Sequence, residues 1–238
     1  LAEKLCEASG MDRVFFCNSG AEGNEAAIKL ARMFGHSRDI EVPGIIVTEG
    51  AFHGRTMGAL TATHSSRHQE GFSPFLDGFY RVPFNDAKAV EESIKANPNI
   101  VAVMVEPIQG EGGILLPDSD YLNKLRTLCD DNDLLLMLDE VQCGNGRTGK
   151  YFAYQHNNIL PDVFSTAKGL GNGFPIGACL ARGKAAEIFQ PGHHATTFGG
   201  SPLACAAANA VYDAIQSENL LENATVQGDR IKFGISMR

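Results

Sequence analysis

Lys168 is the one lysine of nine that stands between a short apolar run and a glycine-rich stretch, in FSTAKGLGNGFPIG at 164–177. A lysine kept from water has a depressed pKa and offers a neutral amine to a carbonyl, which Schiff-base chemistry requires. The neighbouring glycines would let a ligand approach the backbone closely. The same placement also suits a strand-end lysine turned to solvent. Asp139 follows the apolar run LLLML at 134–138. A carboxylate there lies deep and seeks a cation or several donors. Beside a protonated ring nitrogen it would keep the ring cationic and so an electron sink; satisfied by backbone amides, it would only be structural. CNSGAE at 17–22 reads as strand, polar turn and helix start. Free amides and a hydroxyl at a positive helix end suit a phosphate group, and they equally suit an ordinary cap by Asn18 or Ser19.

Phe52, in GAFHGRT at 50–56, could stack on a flat ring or pack in a core, and Arg55 could fork onto a carboxylate or lie on the surface. Glu111, in EPIQGEGG at 106–113, could meet a substrate group or an arginine, or be a loop carboxylate. Residues 144–149 fit G-x-G-x-x-G and 144–150 fit G-x-x-x-x-G-K, but Tyr151 replaces the hydroxyl residue that would hold Mg²⁺. The segment after it, rich in aromatic residues and asparagine with Pro161 close behind, is a poor phosphate-binding helix. Nucleotide binding is therefore not expected. Seven histidines show no metal-ligand spacing, and no metal site is predicted.

Elements must gather these residues. Short apolar runs predict strands at 14–17, 44–48, 100–105, 134–138, 163–166 and 177–181, with 134–138, apolar throughout, central and covered on both faces. Helices are predicted at about 21–34, where Ala27, Leu30, Ala31 and Phe34 share a face, at about 119–132, and at 202–217 with Pro202 in the first turn. Strands alternating with helices predict an α/β fold with a mostly parallel sheet between two helical layers. Asn18, Ser19, Gly20, Glu106, Asp139 and Lys168 all follow strands, and the carboxyl edge of such a sheet is where ligands bind.

The chain has 238 residues, 44% of them hydrophobic, and a net charge of −8. That balance is unlike the basic stripe of a nucleic-acid binder. Six cysteines without a C-x-x-C pair read as reduced thiols of a cytoplasmic protein. No apolar run reaches the ~18 residues of a membrane span. Leu1 to Ser9 reads as the later turns of a helix already under way, so the chain is expected to be a fragment.

Taken in order, six segments resemble the class III, ornithine-type aminotransferases: FCNSGAEGNEAA at 16–27, GAFHGRT at 50–56, EPIQGEGG at 106–113, LDEVQ at 138–142, AKGLG at 167–171 and TTFGG at 196–200. The resemblance implies a fold-type I large domain over residues 1–238, with an N-terminal segment and a C-terminal small domain belonging to a longer chain. It implies pyridoxal 5′-phosphate (PLP) as cofactor and assigns Lys168 as the lysine bonded to it and as the proton carrier. Asp139 would pair with the ring nitrogen, Ser19, Gly20 and Ala21 would hold the phosphate, Phe52 would stack on the ring, and Val141 and Gln142 would lie beside it. Thr197 would reach the phosphate of a neighbouring subunit, which implies a homodimer. Arg55, Glu111 and Thr196 would face substrate. His53 points to the acetylornithine branch, since the ornithine branch usually has tryptophan there. The implied reaction passes the terminal amino group of N-acetylornithine to 2-oxoglutarate in arginine biosynthesis. Succinylornithine, succinyldiaminopimelate or ornithine as donor, or a non-catalytic shell of the same fold, are the alternatives. Gly23, Cys143, Asn172, Ala195 and Ser201 depart from residues common in the family.

Overall fold

A computed structural model describes residues 1–236. Seven strands, β1 (Arg13–Cys17), β2 (Gly44–Thr48), β3 (Phe79–Val82), β4 (Ile100–Val105), β5 (Leu135–Asp139), β6 (Val163–Thr166) and β7 (Gly177–Ala181), form one sheet in the order β1-β7-β6-β5-β4-β2-β3. The run from β3 to β6 is parallel, and β7 lies antiparallel between β6 and β1. β1 thus points the same way as β6, and the carboxyl ends of six strands share one edge.

Side chains along the inner strands alternate between two apolar layers, as the two-residue repeat of a strand requires. Ile45, Val47, Met104, Leu135 and Met137 face the layer that α2 (Gly20–His36) covers with Ala27, Leu30, Ala31 and Phe34. Ile46, Val103, Val105, Leu136 and Leu138 face the other, covered by α6 (Tyr121–Asp131) and α7 (Pro202–Ser217). The remaining helices are α1 (Ala2–Ser9), α3 (Met57–Ala62), α4 (Ser66–Gln69), α5 (Ala87–Ala96) and α8 (Leu220–Ser236). This is the expected three-layer arrangement with β5 at its centre.

The differences have local causes. The run at 134–138 forms strand one residue later, so Asp139 is itself the last residue of β5. β3 was not expected: it is an edge strand of four residues with only Val82 buried, too short and too polar for an apolar run to mark it. α5 was not expected either, because it buries only Val90. No α-helix follows the glycine pattern at 144–149; a 3₁₀ turn at Ala153–Asn157 does, so the pattern has no helix end at which to bind phosphate. Among the described residues no helix is long and apolar enough to cross a membrane.

Candidate active site

A cleft of about 440 Å³ opens at the carboxyl edge, lined among others by Ser19, Gly20, Ala21, Phe52, His53, Arg55, Asp139, Val141, Gln142 and Lys168. Residues up to 149 positions apart in sequence meet there because their strands end on one line.

Asp139 is its buried floor, 3% exposed. Oδ2 accepts hydrogen bonds from Asn24 Nδ2 at 2.7 Å and His53 Nδ1 at 2.8 Å, and Oδ1 accepts one from the Val141 amide at 3.0 Å. Ser165 Oγ lies 3.4 Å from Oδ1 but only 2.5 Å from Asn24 Oδ1. A serine hydroxyl has one proton, and the shorter contact takes it. One lone pair of Oδ1 therefore has no donor committed to it. His53 is wholly buried, which pulls its pKa down, but the hydrogen bond to Asp139 and the charges of Asp139 and Glu106 outweigh burial and hold it above the ordinary value. Its Nε2 has no hydrogen-bond partner among the described residues.

Glu106 sets the walls. One carboxyl oxygen accepts the Phe52 amide at 2.9 Å and the other the Gly110 amide at 3.2 Å, so one side chain ties both loops to the end of β4. Burial and then the charge of Asp139 push its pKa up to about 7, against the pull of His53 and the two amides. The loop passes Gly110 close to the Gln142 carboxamide: a Cβ there would fall 1.7 Å from Gln142 Oε1, so a larger residue would turn that side chain aside.

The phosphate-like corner is the start of α2. Ser19 caps the helix by accepting the Glu22 amide at 3.2 Å, and Glu22 in turn accepts from the Asn18 amide and side chain. The amides of Gly20 and Ala21 take part in no hydrogen bond among the described residues. The two alternatives for this turn are compatible: the cap consumes one amide and leaves two. Gly177 lets β7 pass this turn, since a Cβ there would sit 2.4 Å from the Ser19 carbonyl oxygen.

Lys168 lies on the wall in a left-handed conformation, φ 44°, at the end of β6. It is exposed, so of the two placements its sequence allowed, this chain shows the strand-end lysine turned to solvent at the cleft. Arg55 is exposed beside Phe52, its guanidinium 5.6 Å from the ring centre. Thr196 reaches the rim by accepting from Asn18 Nδ2 at 3.2 Å. Glu111 and Thr197 are exposed and do not line the cleft. Sequence reasoning gave no role to Asn24 and used His53 only as a family marker. Their polarity inside otherwise apolar, alanine-rich surroundings was the available signal.

The sequence pattern of the family Aminotransferase class-III matches residues 1–237. The chain is 58% identical to the acetylornithine aminotransferase of Nitrosomonas europaea, over 96% of this chain and 58% of that protein. It superimposes with a TM-score of 0.92 and 36% identity on ornithine aminotransferase from Toxoplasma gondii, described with partial occupancy of PLP at its active site, covering 96% of this chain and 55% of that one. For N-acetylornithine aminotransferase from Stenotrophomonas maltophilia the values are 0.82 and 39%, over 99% and 57%. The chain thus spans a little over half the length of these relatives. A match that runs through all six segments around the cleft, on a shared fold, places the chain in the class-III aminotransferase family.

Proposed function

We propose that this chain is the PLP-binding part of an aminotransferase that takes the terminal amino group of N-acetylornithine and delivers it to 2-oxoglutarate. The observation that carries the reading is the convergence of an exposed lysine, a buried carboxylate with one uncommitted lone pair and two unpaired helix-end amides on one cleft. These suit three of the polar parts of PLP: its aldehyde, its pyridine nitrogen and its phosphate. When bound, PLP supplies an electron sink that stabilises negative charge on the substrate carbon.

The residues divide the work. Gly20 and Ala21 offer amides, and Ser19 the helix end, to the phosphate. Phe52 would cover one face of the ring, and Val141 and Gln142 would border it. Asp139 would hold the ring nitrogen through Oδ1, with His53 and Asn24 fixing the other oxygen so that the carboxylate does not turn away. Lys168 would supply the amine that holds the cofactor's aldehyde, and the same amine would serve as the proton carrier at the reacting substrate carbon. Arg55 forks onto a substrate carboxylate, with Thr196 and Glu111 near the substrate. Thr197 reaches the phosphate of a second subunit in a homodimer, and the protein works in the cytoplasm.

The test is the visible absorbance of the protein at its natural length, loaded with PLP, for wild type and Lys168→Ala. N-acetylornithine, ornithine, succinylornithine and succinyldiaminopimelate are then added in turn. A band that requires Lys168 and shifts most readily with N-acetylornithine supports the reading, whereas a stronger response to another donor reassigns the substrate. No band in either protein leaves a non-catalytic shell of the fold.

A further inference from the structure

Lys168 is held in a backbone conformation that a lysine does not choose. A non-glycine residue at φ 44° is strained and persists only where its surroundings determine it. The determining contacts come from another loop. Asn145 Nδ2 donates to Thr166 Oγ1 at 2.8 Å and to the Ala167 carbonyl at 3.3 Å, the two residues that lead into Lys168. A primary amide has two N–H groups, so both bonds form together. Thr166 is fully buried, which makes it a fixed anchor rather than a mobile acceptor. The Ala167 carbonyl also takes the Leu170 amide at 2.9 Å, and the Lys168 carbonyl takes the Asn172 amide at 3.1 Å, so the turn that follows shares the Ala167 carbonyl with the clamp and continues from the next one. The approach is close: a Cβ on Gly169 would stand 3.1 Å from Asn145 Cβ. Asn145 itself sits at φ 55°, where asparagine is among the residues best tolerated.

We propose that Asn145 is a positioning residue for Lys168: its carboxamide clamps Thr166 and Ala167 and so fixes the left-handed turn that presents the lysine to the cleft. Asn145 belongs to the stretch that imitates a nucleotide loop, and this assignment gives its polar side chain a different task. The catalytic consequence rests on the proposed function above, while the clamp itself does not.

The experiment uses the protein at its natural length with Asn145→Asp, which keeps the shape and loses both donors, Asn145→Gly, which adopts φ 55° without strain, and Thr166→Ser, which keeps the acceptor. Amide hydrogen exchange is followed at Leu170 and Asn172 in the PLP-free protein, and kcat and KM in the loaded one. Both Asn145 variants should exchange about tenfold faster at these two amides while β4 and β5 stay protected, as loss of one or two hydrogen bonds in a local opening gives. kcat should fall about tenfold with KM for the amino donor changed less than about threefold, the pattern of a misplaced reacting group. Thr166→Ser should stay within about threefold of wild type on every measure. If Asn145→Asp does not fold, Asn145→Gly decides. Wild-type exchange in the Asn145 variants overturns the proposal, and so does faster exchange spread evenly over the sheet. A wild-type protein that neither binds PLP nor transfers amino groups defeats the functional reading instead, and the exchange result still decides the clamp.

Discussion

The hydrogen bonds around Asp139 make it a group whose removal is costly twice over. His53 and Asn24 are both buried and both aim donors at it, so Asp139→Ala strands them in a dry site. Breaking a buried charged pair on one side costs about 3–5 kcal/mol, and urea unfolding of the PLP-free protein should read a loss of that order. Asp139→Asn keeps the volume but turns an amide toward existing donors or toward the ring nitrogen. Its kcat/KM should fall by about 10²–10³-fold, the usual effect of losing one preorganised electrostatic contact. A variant near wild type in steady-state assays would show that no cationic group sits against Oδ1. Lys168→Ala should lose more than about 10²-fold in kcat, since in the proposed function the same nitrogen would both bond the cofactor and move the proton.

At the level of elements, the strand ends and the turns they feed carry the site, and small changes in their packing should reach it. Glu140, next after β5, points away from the cleft and accepts the amides of Ala153 and Tyr154, both at 2.9 Å, clipping the 3₁₀ turn onto the sheet. Burial lifts its pKa to about 7 despite these bonds. An acid with a raised folded-state pKa contributes stability that is full below its unfolded value of 4.5 and lost as pH rises through about 7. Glu140→Gln should therefore flatten the fall in stability across that window by up to about 1.4 kcal/mol per pH unit, measured by urea midpoints in the PLP-free protein. An unchanged slope would mean that Glu140 takes up no proton there. Gly177→Ala drives a methyl against the Ser19 carbonyl, a backbone atom that cannot swing aside. It should cost about 1–3 kcal/mol and weaken PLP binding with it, because the displaced turn is the one proposed to hold the phosphate. Gly228→Ala, in α8 with open space around it, should instead stabilise by up to about 1 kcal/mol.

The whole molecule presents the cleft on one edge and leaves part of its rim to solvent. Phe198, next to Thr197, is 73% exposed, and Leu203, in the first turn of α7, is 67% exposed. Such large apolar side chains beside a residue proposed to reach a second subunit fit a surface that another copy covers. The protein at its natural length should sediment as a dimer, and Phe198→Asp should shift it toward monomer and lower PLP affinity together. A dimer unaffected by that change would move the interface elsewhere.

The amino-acid sequence by itself determined the parts of this protein that depend on local pattern. Six strands were legible because buried strands are continuous apolar runs, and α2, α6 and α7 because their apolar faces repeat at helical spacing. Lys168, Asp139 and the 18–20 turn were legible because polar residues directly after such runs have few places to go. β3 and α5 were not, since an edge strand and a solvated helix bury too little to leave a pattern. Only the tertiary structure decided the partners. That His53 and Asn24 share one oxygen of Asp139, that Glu106 ties two loops together, and that Asn145 braces the turn before Lys168 are contacts across 20 to more than 100 residues. They exist because seven strands, laid side by side, bring their ends to one edge, and no spacing along the chain encodes that meeting.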